Sequence, residues 1–188
     1  AYRSVVCLGH IRDEQGRKFS KSKGIGIDPL DVMDVYGTDA MRFTLTSLAA
    51  QGRDIRFGMQ VMEGGRAFVT KLWNAARFAL MNLADYDASA RAGEASLYDR
   101  WIRHRMDVAI AEAHVALDEF RFNDAAQTLY HFVWGELCDW YIELAKLAFQ
   151  GGDEERRRAA QATLLTVLRG ALTALRLPPF IPSGVDGP

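Results

Sequence analysis

A short basic segment is the part of this chain whose residue types best suit phosphate chemistry. Seven consecutive positions hold four cations and no carboxylate: Arg17, Lys18, Lys21 and Lys23. Ser20 and Ser22 alternate with the lysines, and Gly24 and Gly26 follow. Ammonium groups, hydroxyls and glycine-flanked backbone N–H groups can together wrap a polyphosphate. The Walker pattern is absent, so these residues alone predict either a phosphate-binding loop or a solvated cationic loop.

Two further groups of polar residues lie on predicted helices. One follows a helix over residues 61–83 at helical spacing and consists of Arg66, Thr70, Asn74 and Arg77, with Lys71 beside them. Such a stripe is either a face exposed to water or a surface that contacts RNA phosphates. The other opens the next helix and consists of Arg100, Arg103, His104 and Arg105. Cations oppose the helix dipole there, which favours an electrostatic role; salt bridges to Glu94 or Asp99 are the structural alternative.

Three carboxylates share one face of a later helix, namely Glu136, Asp139 and Glu143. No His or Cys accompanies them at matching spacing, so we predict that this chain holds no metal ion. The aromatic residues around them alternate with leucines, which is more typical of a helix core than of a surface on which bases stack.

Composition narrows the class of protein. The 188 residues are 49% hydrophobic and 25% charged, with a formal net charge of −1. A folded globular protein of this kind binds nucleic acid only through a local basic patch. Cys7 and Cys138 are too few for a disulfide-rich scaffold or a four-cysteine zinc site. The few cysteines fit a reducing cytoplasm, no apolar run could span a membrane, and no signal-peptide pattern is present. We expect a cytoplasmic protein without a membrane partner, and we expect no DNA partner.

Proline and glycine positions predict the elements. We expect a strand over residues 2–12, the basic loop over 17–26, and two short helices capped by Asp28 and Thr38. A short extended piece over residues 52–57 precedes four long amphipathic helices, over residues 61–83, 97–120, 124–149 and 154–177. Asn123 is the expected cap of the third. Long helices with short connections predict an up-down bundle.

The predicted fold class is therefore mainly α. A small α+β connector over residues 1–58 carries the basic loop, a helical bundle spans residues 59–182, and residues 183–188 form a tail.

An ordered set of sequence words resembles the class I aminoacyl-tRNA synthetases. The run GRKFSKSKG (16–24) is similar to their Lys-Met-Ser-Lys-Ser signature, and Asp28-Pro29 and YGTDAMR (36–42) follow in the family's order. The words GRDI (52–55), KLWNAARF (71–78) and CDWYIEL (138–144) are closest to the valyl branch. The resemblance extends over about residues 1–182, and its ordered set is far more specific than the loop alone.

This resemblance implies ligation of valine to its tRNA through valyl-adenylate in the complete enzyme, with ATP as substrate and Mg²⁺ present. Lys18 and Lys21 would neutralise the departing pyrophosphate. The implied ATP-binding residues are Lys18, Phe19, Ser20, Lys21 and Ser22. The bundle would be an anticodon-binding domain for tRNA(Val), with Arg66, Lys71, Asn74, Arg77, Arg100 and Arg103 as its tRNA contacts.

The chain also departs from the family. Phe19 occupies the usual Met position and is expected to pack beneath the loop, while Ile25, Gly26, Gly58, Gly65 and the last residues differ from the usual pattern. A His-Ile-Gly-His signature is not recognisable, and His10 is predicted to be a strand residue. We therefore expect this segment to need a missing N-terminal catalytic domain as its partner and to bind no cofactor by itself. Two alternatives stay open: a non-catalytic tRNA-binding remnant or paralogue, and a helical protein-interaction module.

Overall fold

The computed structural model describes residues 9–20, 26–90 and 93–176. In chain order the elements are β1 (Ile11–Arg12), α1 (Pro29–Tyr36), α2 (Thr38–Leu48), β2 (Ile55–Arg56), α3 (Met59–Asn82), α4 (Leu97–Asp118), α5 (Phe122–His131), a π-helical segment (Phe132–Tyr141), α6 (Ile142–Gln150) and α7 (Glu154–Arg176). This set confirms the predicted mainly α class with a small β component. Most of the expected strand over residues 2–12 and the centre of the basic loop lie outside the described residues. Within the described part the strand is limited to Ile11–Arg12, so the prediction that His10 is a strand residue is wrong.

The described residues form two compact units. Unit 1 contains residues 9–20, 26–69 and 113–127, and unit 2 contains residues 70–90, 93–112 and 128–176. Helices α3, α4 and α5 each contribute residues to both units. The domain boundaries at residues 58 and 182 stay predictions.

The first two helices of unit 1 begin as their sequence suggests, with one difference. Asp28 accepts a hydrogen bond from the Leu30 N–H at 2.9 Å, and Pro29 occupies the first turn of α1. The predicted cap at Thr38 is wrong, because α2 already includes Thr38 and makes no side-chain cap bond. Gly37 holds the cap position with a φ of 92°, a backbone conformation that glycine adopts without steric cost.

The core of unit 1 forms where α1 and α2 meet the start of α3. Its buried side chains are Val32, Ala40, Phe57 and Met62. Phe19, at the entrance to the basic loop, packs against this core, as the resemblance to the family's Met position implies. Gly65 lies so close to α2 that a Cβ there would be 2.7 Å from the Ala40 carbonyl oxygen. The backbones of α2 and α3 therefore touch at a position that only glycine fits.

A small sheet joins the two ends of this connector. Strands β1 and β2 pair in parallel, with Ile11 opposite Ile55 and Arg12 opposite Arg56. A separate antiparallel bridge pairs Arg12 with Lys18. The backbone of Arg12 thus lies between β2 and the first lysine of the basic loop.

Helix α4 ends earlier than predicted, at Asp118 rather than at residue 120. Phe120 adopts a φ of 59°, in the left-handed region, and turns the chain toward α5. The side chain of Gln51 donates hydrogen bonds to the carbonyl oxygens of Glu119 and Phe120, at 3.0 and 3.1 Å. This amide satisfies two carbonyls that the end of the helix leaves without helical partners.

Contacts within unit 2 give its helices alternating directions. Lys71 and Phe78 of α3 contact Asp139 and Phe149, respectively, so α3 and the chain from α5 to α6 run the same way. Asp99 and Arg105 of α4 contact Tyr141 and Glu136, so α4 runs the opposite way. Arg103 contacts Thr163, and Met106 lies against Gly170, so α7 is parallel to α4. This up-down order is the predicted one.

A buried polar network anchors the start of α4 in unit 2. Ser96 and Asp99 form a reciprocal capping pair: the Ser96 N–H and hydroxyl donate to Asp99 at 2.9 and 2.7 Å, and the Asp99 N–H donates back at 3.2 Å. The hydroxyl of Tyr141, which is 1% exposed, donates to the other Asp99 oxygen at 2.7 Å. Burial and the neighbouring Asp99 carboxylate raise the pKa of this phenol, which therefore stays protonated as a donor.

The predicted helix over residues 124–149 is longer and less regular than expected. It begins at Phe122, so Asn123 lies inside its first turn and the predicted cap is wrong. Ten residues, Phe132–Tyr141, are π-helical. A π-helical turn adds a residue and shifts which side chains face the core. Among the described residues, no helix is both long and apolar enough to cross a membrane.

Candidate functional site

The residues at the start of the basic loop are held by a backbone bridge and by packing. Lys18 is exposed, while its backbone bridges to Arg12 and the adjacent Phe19 packs on the core of unit 1. Ser20 is half-buried. Lys21 and Ser22 lie outside the described residues. The structure therefore fixes where the loop begins and places the first lysine at the surface.

The turn before Lys18 is closed by an aspartate. The backbone N–H and the Nε of Arg17 both donate to Asp13, each at 2.7 Å, and the Asp13 N–H donates to the Arg17 carbonyl at 2.9 Å. Burial raises the pKa of Asp13, but the hydrogen bonds from Arg17 outweigh it and the net pKa is lowered. Arg17 is thus engaged in the turn, whereas Lys18, the next cation, is exposed.

A second aspartate ties β2 to β1. One Asp54 oxygen accepts the backbone N–H of His10 at 2.8 Å, and the other accepts the Nε of Arg12. The hydrogen bond from the His10 backbone N–H lowers the pKa of Asp54 most, and the hydrogen bond from the Arg12 side chain lowers it further. The carboxylate is therefore ionised at neutral pH and holds Arg12 in place.

The polar residues predicted on α3 have different surroundings. Arg66, in unit 1, donates to the Val35 carbonyl at 3.3 Å. In unit 2, Lys71 donates to Asp139 at 2.5 Å and lies 3.9 Å from the centre of the Trp134 ring. Asn74 and Arg77 are exposed and lie one helical turn apart. In unit 2 they are the predicted contacts best placed to meet a ligand.

Sequence reasoning missed an apolar group beside these two residues. The side chains of Trp73, Leu80 and Met81 are 64%, 70% and 68% exposed. They lie on the side of α3 opposite its buried face, which carries Ala75 and Ala79. The spacing of Trp73 from that buried face was the available signal, because at 100° per residue it falls far from the core stripe. Large exposed apolar side chains beside a cation make this side of α3 a candidate binding surface.

The cations at the start of α4 are engaged within unit 2. Arg100 donates to the Ala95 carbonyl at 3.2 Å, and Arg103, half-buried, donates to the Thr163 hydroxyl at 2.6 Å. Arg105 makes a two-pronged ion pair with Glu136, at 2.6 and 2.8 Å. The salt-bridge partner is thus Glu136 rather than the predicted Glu94 or Asp99.

The three carboxylates on one helix face each meet a cation. Glu136 pairs with Arg105, Asp139 with Lys71, and Glu143 with Lys146. Within residues 9–20, 26–90 and 93–176, no group of three His, Cys, Asp or Glu side chains is arranged to hold a metal ion. Burial raises the pKa of the Cys138 thiol to about 11, so this cysteine is neutral and is not a nucleophile.

Comparison with protein families matches two successive parts of the chain. Residues 1–58 match the model described as tRNA synthetases class I (I, L, M and V). Residues 99–183 match the model described as the anticodon-binding domain of tRNA ligase. The first match includes the basic loop and Asp54, and the second includes most of α4 and all of α5 to α7.

Relatives of known function are similar over nearly the whole chain. The valine–tRNA ligase of Symbiobacterium thermophilum is 50% identical over 184 residues, which is 96% of this chain and 20% of that protein. The valine–tRNA ligase of Geobacter sulfurreducens is 53% identical over 175 residues, or 92% of this chain and 20% of that protein. The chain therefore spans about a fifth of the length of these relatives.

Solved structures share the fold at low sequence identity. Methionyl-tRNA synthetase of Mycobacterium tuberculosis, solved with methionyl-adenylate, has a TM-score of 0.76 at 19% identity and covers 90% of this chain and 34% of its own. The Agrobacterium radiobacter LeuRS in a ternary complex with tRNA and LeuAMS has a TM-score of 0.60 at 20% identity. That match covers 89% of this chain and 20% of the LeuRS chain.

Proposed function

Because this chain belongs to the class I tRNA synthetases, we propose that it supplies two working parts of a valine–tRNA ligase. The loop over residues 17–26 serves the formation of valyl-adenylate, and the helical region over residues 59–182 holds the anticodon arm of tRNA(Val). The observation that carries this proposal is the 50% identity to a valine–tRNA ligase over 96% of the chain. The proposed location of a protein with this function is the cytoplasm.

The proposed chemistry needs positive charge at the leaving group. An oxygen of the valine carboxylate attacks the α-phosphorus of ATP, the bond from that phosphorus to the bridging oxygen breaks, and pyrophosphate leaves with the electron pair. A hydroxyl of the terminal tRNA ribose then attacks the carbonyl carbon of the adenylate, AMP leaves, and the hydroxyl proton passes to water. Cations placed where charge develops lower the barrier to the first step.

We assign the positive charge that stabilises the leaving pyrophosphate to Lys18 and Lys21. Lys18 is exposed and its backbone is held by the bridge to Arg12, while Arg17 is engaged by Asp13, which favours Lys18 over Arg17 for the phosphates. Lys21 is assigned because it matches the second lysine of the signature. Ser20 and Ser22 supply hydroxyl donors, and Phe19 fixes the loop on the core of unit 1. Phe19 therefore performs the packing role expected of the usual Met.

ATP is the substrate in this proposal, and Mg²⁺ accompanies it in the complete enzyme. The described residues do not fit a metal ion, since they contain no group of three suitable ligands. No step is therefore assigned to a metal held by this chain. In this proposal the valine site and most of the ATP site belong to the other four fifths of the ligase.

On the helical region, the exposed part of α3 in unit 2 is the best surface for the anticodon arm. Asn74 offers an amide that can bond to base edges, and Arg77 offers a cation for the backbone phosphates. Trp73 adds an exposed ring on which an unpaired base can stack. Lys71, Arg100 and Arg103 already have partners within unit 2, so their contributions to tRNA binding are expected to be smaller.

Substitution Arg77→Gln is expected to weaken binding of tRNA(Val) by about tenfold, the effect of losing one charged hydrogen bond. It should also reduce the slope of log K against log salt by about one. Filter binding or fluorescence anisotropy at several salt concentrations measures both quantities. Arg169→Gln is the charge-matched control, because Arg169 is an exposed arginine on α7. Equal effects of the two substitutions would show that Arg77 acts only through net charge.

The proposed function is tested by replacing the matching part of a known valine–tRNA ligase with this chain. Residues 1–188 replace the matching fifth of the Geobacter sulfurreducens valine–tRNA ligase, to which the chain is 53% identical. We expect the chimera to exchange pyrophosphate with ATP when valine is present and to charge tRNA(Val). A folded chimera that binds tRNA but forms no adenylate would favour the non-catalytic remnant. A folded chimera that does neither would favour a protein-interaction module.

A further inference from the structure

Asp54 lies away from the basic loop in sequence but is connected to its first lysine through Arg12. One oxygen of the Asp54 carboxylate accepts a hydrogen bond from the Arg12 Nε. The other oxygen accepts a hydrogen bond from the His10 backbone N–H at 2.8 Å. Backbone bonds run beside it, since the Ile55 N–H donates to the His10 carbonyl and the Phe57 N–H donates to the Arg12 carbonyl, both at 2.8 Å. Asp54 therefore fixes both the backbone and the guanidinium of β1.

Arg12 contacts the segment that leads into the loop at two points. Its Nη1 donates to the Gly16 carbonyl at 3.2 Å, inside the turn that leads to the loop. Its backbone pairs with Lys18 in the antiparallel bridge. An arginine is suited to this arrangement, because its planar guanidinium holds several acceptors in a fixed geometry. Without Asp54, the guanidinium would be free to leave the Gly16 carbonyl.

The opposite side of the loop base is fixed by packing. Phe19 contacts the core of unit 1, so the Lys18–Phe19 backbone lies between that core and the Arg12 bridge. Asp54 and Arg12 have side chains that are each 36% exposed, and such an ion pair contributes little to stability because water screens it. The pair is therefore better suited to setting a position than to holding the fold together.

We propose that Asp54 is a positioning residue that acts through Arg12 to set the location of the Lys18 ammonium group. This inference rests on the proposed function, since it assigns Lys18 to the leaving pyrophosphate. A displacement of about 1 Å at a catalytic group can cost on the order of 100-fold in rate. The effect of losing Asp54 should therefore appear in kcat for adenylate formation rather than in the KM for valine.

The geometry is tested first in the 188-residue chain itself. The Asp13 amide, which donates to the Arg17 carbonyl, reports whether the turn is closed. Asp54→Asn is expected to speed hydrogen exchange at this amide by about tenfold, while amides in the middle of α4 and α7 keep their rates. Asp87→Asn is the matched control, because Asp87 accepts two bonds from Ser89 far from the loop in sequence. Unchanged exchange at Asp13 would overturn the inference.

The action through Lys18 is tested in the chimeric ligase. Asp54→Asn should lower kcat of pyrophosphate exchange by about 10- to 100-fold with little change in the KM for valine. In a Lys18→Ala background the same substitution should have almost no further effect, because the group that it positions is gone. Equal losses in both backgrounds would indicate a merely structural role and would overturn the inference.

Different results would contradict the proposed function and the positioning role of Asp54. An inactive but folded chimera with no substitution would contradict the proposed function, and hydrogen exchange at Asp13 would still decide whether Asp54 holds the turn. An active chimera that is insensitive to Asp54→Asn would support the proposed function and reject the positioning role.

Discussion

Replacement of Lys21 by alanine in the chimeric ligase is expected to lower kcat of pyrophosphate exchange by on the order of 10²–10³-fold. This is the range observed when one preorganised donor to a developing anion is removed. The KM for valine should stay nearly constant, because the lysine interacts with charge that grows on pyrophosphate as it leaves and not with the amino acid. Steady-state exchange at saturating ATP measures both parameters.

Lys146→Ala serves as the control for loss of a lysine, since Lys146 is a surface residue paired with Glu143 in unit 2. We expect it to leave exchange unchanged. A loss below about threefold for Lys21→Ala would contradict the assigned role, because it is far smaller than the electrostatic range. Substitution Lys21→Arg keeps the charge and should retain more of the rate than alanine does.

The substitutions Gly64→Ala and Gly65→Ala are expected to change stability in opposite directions, although the residues are adjacent in α3. A Cβ at Gly65 would lie 2.2 Å from the Thr44 hydroxyl and 2.7 Å from the Ala40 carbonyl oxygen. The hydroxyl can rotate away, but the carbonyl belongs to the backbone of α2. We expect Gly65→Ala to lower the free energy of unfolding by about 1–3 kcal/mol, as other overpacked cores do.

Gly64 supplies the matched control. It is exposed, and a Cβ there meets no atom within 4 Å. Alanine at this position should raise the free energy of unfolding by about 0.5–1 kcal/mol, because glycine loses more backbone entropy in a helix. Urea denaturation of both variants measures the difference. A stabilising Gly65→Ala would mean that α2 and α3 are farther apart than the structure shows.

Several elements were predictable because one local interaction determines each of them. Helix α1 follows from Asp28 and Pro29, whose capping and backbone preferences coincide. The packing of Phe19 was implied by the resemblance, in which it occupies the position of the usual Met, and it is observed. The predicted caps at Thr38 and Asn123 were wrong because both residues lie inside their helices: Gly37, with its positive φ, takes the cap position before α2, and α5 begins at Phe122, two residues before the predicted start.

Other features depend on contacts between residues distant in sequence and could not be read from spacing. The capping pair of Ser96 and Asp99 is a local pattern, but its third partner, Tyr141, lies 42 residues later. The engagement of Arg103 with Thr163 and the exposure of Trp73 likewise depend on how the helices pack. Helical periodicity places a side chain on a face, and tertiary packing decides what that face meets.

The central claim is tested most directly by the affinity of the 188-residue chain for tRNA(Val), compared with a non-cognate tRNA at two salt concentrations. The account predicts tighter binding to tRNA(Val), with both affinities falling as salt rises because phosphate contacts release counterions. Equal affinity for the two tRNAs, or no binding to either at low salt, would contradict the claim that this helical region holds the anticodon arm of tRNA(Val).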